Sequence, residues 1–165
     1  MELPFLSDED FFENCPPQTV CSVCGSNEIR PFMLVGDKYY WTCNVCKARI
    51  LSCKHWLSKE EEFKYYQTHQ NISSDPAYQE FAAQLALPIL DKLVPNSSGL
   101  DFGCGPDSAL SAILRQHGHN MTLYDPFFFP AKKSLKKTYD FIVCSEAAEH
   151  FHQPAKEFKK FNGLL

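Results

Sequence analysis

Two C-x-x-C pairs constrain the fold of this chain more than any other feature of its sequence. Cys21 and Cys24 form the first pair, Cys43 and Cys46 form the second, and eighteen residues separate the two pairs. This spacing is typical of a four-cysteine zinc site, because each C-x-x-C turn directs both of its sulfur atoms towards one point. The pattern therefore predicts a zinc ion held by Cys21, Cys24, Cys43 and Cys46.

The segment between the cysteine pairs has the pattern of a β-hairpin. Residues 32–35 and 38–42 are largely apolar or aromatic, and Gly36-Asp37 lies between them as a turn. Gly25 follows the first pair, where a positive φ is often required. Together these features predict a zinc ribbon. Its closed metal site leaves no coordination position for water, so we expect it to stabilise the fold rather than to perform chemistry.

Other interpretations of the cysteines are weaker. Four unrelated buried thiols would not need this spacing. Disulfides are disfavoured because the N-terminal residues are acidic and lack the pattern of an export signal. Cys15, Cys53 and His55 form an alternative ligand set, but the two pairs already satisfy one metal ion. We therefore interpret these three as ordinary residues.

The composition indicates a folded protein with an acidic surface. Hydrophobic residues make up 44% of the chain and aromatic residues 14%, which is ample for a buried core. A net charge of −4 disfavours nucleic acid or an anionic membrane as a partner. No segment approaches the roughly 20 apolar residues of a membrane span. We expect a soluble, cytoplasmic protein, and we interpret one basic stretch as solvated surface: Lys132, Lys133, Lys136 and Lys137.

Three regions follow one another along the chain. Residues 15–57 contain the cysteine pairs, residues 58–97 are predicted to form bridging helices, and residues 98–165 have an α/β pattern. The bridge begins with a capping-box pattern at Ser58, and a second helix is predicted from Pro76.

The third region alternates strands and helices. Strands are predicted from Leu100 and at 121–125 and 139–145, with helices at 108–117 and 154–161. This order predicts parallel strands joined by right-handed crossovers. The whole chain is therefore predicted to be α/β, with an N-terminal zinc ribbon followed by the first half of a Rossmann-like doubly wound parallel sheet.

A glycine turn and a distal acid indicate a cofactor site in that sheet. Gly103 and Gly105 follow the first strand, where glycine lets the backbone approach a ligand and the next helix offers unpaired N–H groups. Asp125 ends the next strand, where an acidic residue accepts both hydroxyls of a ribose.

Two other glycine motifs fit less well. A phosphate-binding loop would need G-K-[ST], which is absent, and Asp101 would repel a phosphate. A dinucleotide site with G-x-G-x-x-G would need a third glycine where Ser108 stands.

Three strings of the sequence carry a family resemblance. Leu-Asp-Phe-Gly-Cys-Gly-Pro, Leu-Tyr-Asp-Pro and Tyr-Asp-Phe-Ile-Val-Cys-Ser-Glu resemble the first, second and fourth motifs of class I S-adenosylmethionine-dependent methyltransferases. The last string continues as Ala-Ala-Glu-His-Phe, similar to the E-x-x-E-H-F segment of many members. More narrowly, the chain resembles a bacterial group in which two C-x-x-C pairs precede a Tyr…His-x-Asn segment, here Tyr65, Tyr66, His69, Gln70 and Asn71. The resemblance covers nearly all of residues 21–165.

The resemblance implies S-adenosylmethionine as the cofactor. It places Asp101, Gly103 and Gly105 at the methionine and ribose end, and it places Asp125 on the ribose hydroxyls. Ser145 and Glu146 are expected near the transferred methyl group.

Three further residues keep two interpretations each. His69 and Asn71 either close over the cofactor or have core or capping roles. His150 is either a base or a helix-face histidine held by Glu146. No catalytic residue is assigned.

The sequence departs from the family pattern in two places. Asp107 stands where the family usually has another glycine, so we expect it to cap the following helix. The chain also stops at Leu165, where family members continue into further strands, so we expect part of the catalytic domain to be absent. We expect either a fragment of a longer chain or self-association through an exposed sheet edge.

Two functions remain open from the sequence. The first is a methyltransferase acting on an unidentified acceptor, which the zinc ribbon and the bridging helices shape or recruit. The alternative is a non-catalytic zinc-ribbon binding module with a truncated Rossmann-like scaffold. Nucleic-acid binding by the ribbon is disfavoured, since the chain is acidic and lacks interleaved basic and aromatic residues.

Overall fold

The computed structural model describes residues 8–68 and 72–165 of the chain. Their contacts divide into two compact units. The first unit extends to Lys59 and includes Phe151–Phe158, and the second contains Glu60–His150 and Lys159–Leu165. Each unit has its own cluster of buried apolar side chains.

The first unit is built on an antiparallel sheet. Its strands are β1 (Ile29–Val35), β2 (Lys38–Cys43) and β3 (Arg49–Leu51), in the spatial order β1-β2-β3. The turn between β1 and β2 places Gly36 at a φ of 61°, which glycine adopts without strain. The predicted hairpin is thus present, and the fold of the cysteine segment fits a zinc ribbon.

A short helix that the sequence did not predict completes the core of this unit. Helix α1 (Asp8–Asn14) supplies Phe11, whose ring meets the ring of Trp41 edge to face with centroids 5.2 Å apart. Both side chains are 2% exposed. Aromatic pairs in this geometry stabilise a core beyond the area that they bury.

The second unit contains a parallel sheet and most of the helices. Its strands are β4 (Ser98–Phe102), β5 (Asn120–Tyr124) and β6 (Phe141–Val143), in the spatial order β5-β4-β6 with all pairs parallel. The helices of the chain after α1 are α2 (Lys59–Gln67), α3 (Pro76–Leu90), α4 (Ala109–Gln116) and α5 (Pro154–Asn162). The predicted α/β fold with a parallel sheet is confirmed.

Helices α3 and α4 pack together on the sheet. Ala82 and Ala86 on α3 and Leu110 and Leu114 on α4 are spaced four residues apart, so each pair lies on one face of its helix. These side chains form the core with Met121 of β5 and its neighbours. Small alanines on α3 let the two helices approach closely.

The connection from β5 to β6 contains one 3₁₀ helix, Lys132–Lys136. Its buried residue is Ser134, whose carbonyl accepts a 2.8 Å hydrogen bond from the hydroxyl of Tyr139. Lys132, Lys133 and Lys136 are exposed on this segment.

Helix α4 corrects one prediction. Ser108, not Asp107, caps this helix, because its Oγ accepts a 3.0 Å hydrogen bond from the backbone N–H of Ser111. The carboxylate of Asp107 instead accepts a 2.7 Å hydrogen bond from the backbone N–H of Ser73. Among the described residues, no helix is long and apolar enough to cross a membrane.

Candidate metal centre and cofactor site

The four predicted metal ligands come together in the first unit. The ligand atoms of Cys21, Cys24, Cys43 and Cys46 all lie within 4.8 Å of one another. The sulfurs of Cys21 and Cys46 are 3.7 Å apart, and those of Cys24 and Cys43 are 3.6 Å apart. Tetrahedral zinc with Zn–S bonds of about 2.3 Å requires sulfurs about 3.8 Å apart. The cluster therefore has the dimensions of a four-thiolate zinc site.

The two C-x-x-C turns have the same backbone conformation. The backbone N–H of Gly25 donates to the carbonyl of Cys21, and that of Lys47 donates to the carbonyl of Cys43. Both donors have a positive φ, 76° for Gly25 and 63° for Lys47. The turn itself requires this conformation, which costs a residue with a Cβ more than it costs glycine.

A bound cation would help these crowded thiols to ionise together. The backbone N–H of Cys46 stabilises the Cys43 thiolate and lowers the pKa of Cys43 to about 6. The backbone N–H of Ala48 lowers the pKa of Cys46, but burial and the sulfur of Cys24 outweigh it and raise that pKa to about 12. Crowded thiols resist ionising together unless a cation compensates their charge.

The predicted cofactor residues lie at one edge of the parallel sheet in the second unit. In a parallel sheet the carboxyl ends of the strands meet at the same edge, which is where ligands bind in open α/β folds. Strands β4, β5 and β6 are in register through Asp101, Leu123 and Val143. The following residues therefore lie at the carboxyl ends of three neighbouring strands: Asp101, Gly103, Gly105, Asp125, Ser145 and Glu146.

Asp125 links the glycine turn to the end of β5. Its Oδ2 accepts a 3.1 Å hydrogen bond from the backbone N–H of Gly105. Its Oδ1 accepts from the backbone N–H groups of Phe127 at 2.8 Å and Phe128 at 3.0 Å. The side chain is only 7% exposed. Three of its roughly four acceptor positions are therefore occupied by backbone donors.

Asp101 anchors helix α4 to strand β4. Its Oδ2 accepts hydrogen bonds from the hydroxyls of Ser108 at 2.6 Å and Ser111 at 2.7 Å. Burial raises the pKa of Asp101, although the two hydroxyls oppose this shift. The sequence predicted that Asp101 lies beside the cofactor. In the structure its carboxylate holds the helix that follows the turn.

The segment after β6 lies against the glycine turn. A Cβ on Gly103 would lie 2.5 Å from the Cβ of Ala147, so the two backbones approach too closely for a side chain at Gly103. Glu146, directly before Ala147, has a φ of 50°. A residue with a Cβ seldom adopts this conformation, and such strain is concentrated at functional sites.

An aromatic group beside Asp125 was not identified from the sequence. Phe63 and Tyr66 on α2 contact Phe127, with ring centroids 5.5 and 5.8 Å apart. Phe63 also lies 5.9 Å from the ring of Phe128. The run of three phenylalanines after Asp125 is the signal in the sequence that points to this group.

Tyr66 also brings polar contacts to this aromatic group. Its hydroxyl donates a 3.1 Å hydrogen bond to Glu62, and its ring meets that of His150 edge to face at 5.8 Å. Burial and the negative charge of Glu62 raise the pKa of Tyr66, so it remains a hydrogen-bond donor at neutral pH. His69 and Asn71 lie outside the described residues.

Comparison with known proteins supports one family. The family model described as a methyltransferase domain matches residues 75–165, which is more than half of the chain. The match contains the glycine turn, Asp125 and the segment after β6. No curated protein matches the chain.

Proposed function

We propose, since this chain belongs to the methyltransferase-domain family, that it transfers a methyl group from S-adenosylmethionine to an acceptor that is still to be identified. The observation that carries the proposal is the link between Gly105 and Asp125 at the carboxyl edge of the parallel sheet. Two separate motifs, twenty positions apart, meet there through one hydrogen bond. Nucleoside cofactors of α/β proteins bind at this edge.

The chemistry of the edge suits this cofactor better than it suits a phosphate. S-adenosylmethionine carries a positive sulfonium, and the edge presents two acidic residues beside the glycine turn, Asp125 and Glu146. These carboxylates attract a cation and repel a phosphate. Gly105 leaves open space where a Cβ would stand, because nothing lies within 4 Å of that point.

Each predicted residue has a distinct part in the proposal. Asp125 accepts hydrogen bonds from the ribose hydroxyls, while Gly103 and Gly105 let the backbone approach the cofactor. Ser145 and Glu146 lie near the transferred methyl group. Asp101 acts from its buried position by holding α4 in place behind the turn.

Methyl transfer from a sulfonium depends on position more than on acid–base chemistry. The cofactor supplies an activated methyl group, and the protein must hold it in line with the acceptor and exclude water. The aromatic side chains beside Asp125 provide an apolar surface for this purpose.

The zinc site has a structural role in this proposal. Zinc held by Cys21, Cys24, Cys43 and Cys46 stabilises a small module at residues 15–57, because four thiolates leave no position for water or substrate. Residues 58–97 form the bridging helices, and residues 98–165 form the part of the chain that binds the cofactor. We also propose that the protein acts in the cytoplasm without a membrane or nucleic-acid partner. Self-association would use an edge strand of its parallel sheet, β5 or β6.

The test is a calorimetric titration of the zinc-loaded chain with S-adenosylmethionine. We expect saturable binding that Asp125→Ala abolishes. The matched control is Asp140→Ala, because Asp140 accepts a 2.7 Å hydrogen bond from the backbone N–H of Ser98, at the start of β4. That variant also removes an aspartate that accepts a backbone hydrogen bond, but away from the cofactor site, so it should bind normally. Absence of binding by the folded, zinc-loaded chain would contradict the proposal.

A further inference from the structure

Asp107 connects the glycine turn to the start of helix α3. It directly precedes Ser108, the cap of α4, and it is half-buried. Its Oδ2 accepts a 2.7 Å hydrogen bond from the backbone N–H of Ser73, which lies thirty-four positions earlier in the chain. The hydroxyl of Tyr78 on α3 donates a long hydrogen bond of 3.5 Å to the carbonyl of Asp107. Two donors from the start of α3 therefore bind the residue that ends the turn.

The segment that Asp107 holds, residues 72–75, is also fixed to α3. The carbonyl of Ser73 accepts a 2.8 Å hydrogen bond from Nε2 of Gln79. The backbone N–H of Asp75 donates to the carbonyl of Ile72 at 2.8 Å, and the carboxylate of Asp75 caps the helix. These bonds fix the segment to its helix, and the bond from Ser73 to Asp107 fixes it to the glycine turn.

An exposed apolar side chain lies at the end of this segment. Ile72 directly precedes Ser73 and is 56% exposed. Gly105, two positions before Asp107, has no atom within 4 Å of the point where a Cβ would stand. A ligand that extends from Gly105 to Ile72 would gain affinity by burying this side chain, because burial of apolar surface is favourable.

We propose that Asp107 is a positioning residue for S-adenosylmethionine, an inference that rests on the proposed function above. The carboxylate of Asp107 binds Ser73 rather than the cofactor. It holds residues 72–75 beside the glycine turn, where Ile72 contacts the bound cofactor. Because the segment is already ordered before binding, the cofactor does not bear the entropic cost of ordering it.

The experiment measures cofactor affinity by calorimetry and amide exchange by ¹⁵N NMR on the full, zinc-loaded chain. Asp107→Ala removes the acceptor of the Ser73 N–H. We expect faster exchange of the Ser73 amide and a dissociation constant for S-adenosylmethionine about tenfold higher. Asp107→Asn keeps a side-chain oxygen that can accept the same hydrogen bond, so it should restore most of the affinity. Equally weak binding by both variants would show that the charge of Asp107 matters instead of its hydrogen bond, and would overturn the proposal.

A double variant tests whether Asp107 acts through Ile72. Ile72→Ala removes an exposed side chain, so it should weaken cofactor binding and leave the midpoint of urea unfolding unchanged. The double variant of Asp107→Ala and Ile72→Ala should bind about as weakly as Asp107→Ala alone, because the segment that carries Ile72 is no longer held. Losses of affinity that add in full would overturn the proposal.

Asp140→Ala is the matched control. Asp140 also accepts a 2.7 Å hydrogen bond from a backbone N–H, that of Ser98 at the start of β4, so this variant should bind like the parent chain. If the parent chain binds S-adenosylmethionine and Asp107→Ala binds it equally well, the role of Asp107 is overturned and the proposed methyl transfer is not. If the folded parent chain does not bind, the proposed methyl transfer is overturned, and the role of Asp107 with it.

Discussion

The backbone N–H of Gly105 donates a 3.1 Å hydrogen bond to Oδ2 of Asp125. This bond joins the turn after β4 to the end of β5, and two further backbone N–H groups occupy Oδ1 of the same carboxylate. A carboxylate has about four acceptor positions. A ribose that donates both hydroxyls to Asp125 must therefore displace one backbone donor. Gly105 is the donor in the turn that faces the proposed cofactor, so we expect binding to release it.

Gly105→Ala should weaken cofactor binding while the chain remains folded. Gly105 has a φ of 66°, so alanine there costs about 1–2 kcal/mol of backbone strain. Nothing lies within 4 Å of the added Cβ, which projects into the space proposed for the cofactor. We expect the dissociation constant for S-adenosylmethionine to rise about tenfold or more, measured by calorimetry.

Gly118→Ala is the matched control for that variant. Gly118 has a φ of 87°, and its nearest neighbour is Oδ1 of Asn96 at 3.9 Å from the added Cβ. It follows α4, away from the carboxyl edge of the sheet, so it should lose stability without losing affinity. Equal loss of affinity in both variants would mean that strain, not the position of Gly105, causes the effect.

The titration of Asp101 should depend on the hydroxyl of Ser111. Burial raises the pKa of Asp101 above its usual value of about 3.9. Ser111→Ala removes a donor to the carboxylate, so it should raise this pKa further and destabilise the fold by about 1.5–3 kcal/mol at neutral pH. The pKa is measured by NMR of the Asp101 carboxyl carbon, and the stability by urea unfolding.

The raised pKa of Asp101 should make the folded state less stable as the pH rises. The folded state holds the proton of Asp101 more tightly than the unfolded state does. The contribution of Asp101 to stability is therefore fully present below pH about 4 and is lost as the pH rises through the folded pKa. Ser97→Ala is the control, because this buried serine donates to the carbonyl of Val94. It should leave the Asp101 titration unchanged.

The sequence predicted those parts of the chain whose pattern directly reflects geometry. The cysteine spacing predicted a cluster in which the sulfurs of two pairs lie 3.6 and 3.7 Å apart. The alternation of strands and helices predicted the parallel sheet. These signals are local, since a C-x-x-C turn or a buried strand depends mainly on its own residues.

The features that the sequence missed depend on contacts between distant residues. Helix α1 is short and acidic, and its importance lies in the packing of Phe11 on Trp41, thirty positions further along the chain. The contact between Phe63 and Phe127 likewise joins residues that lie far apart in the sequence. The sequence did not predict the positive φ of Lys47, because lysine seldom adopts this conformation. At the equivalent position after the first cysteine pair, glycine did indicate it, at Gly25.

Cys24→Ser should remove zinc and unfold the first unit. Zinc binding contributes about 10–16 kcal/mol to the folding free energy of small modules. Losing one ligand should therefore remove more free energy than the folded module has in reserve. We expect less than one zinc ion per chain and a red shift of tryptophan emission, since Trp41 is 2% exposed in the folded unit.

Cys53→Ser is the control, because Cys53 is also exposed but lies outside the cluster. It should retain one zinc ion, and a chelator should reproduce the effect of Cys24→Ser on the parent chain.

Two substitutions of Glu146 distinguish the effect of its strained backbone from the effect of its carboxylate. Glu146 is exposed with a φ of 50°, which costs a residue with a Cβ about 1–2 kcal/mol. Glu146→Gly relieves the strain and Glu146→Ala keeps it, while both variants remove the charge. We expect the glycine variant to be more stable than the alanine variant by up to about 1 kcal/mol, because the greater freedom of glycine in the unfolded chain offsets part of the gain.

Both variants should bind S-adenosylmethionine equally weakly in calorimetry, and Glu80→Ala on the exposed face of α3 should bind normally. If the glycine variant instead bound as tightly as the parent chain, the carboxylate of Glu146 would have no part in holding the cofactor.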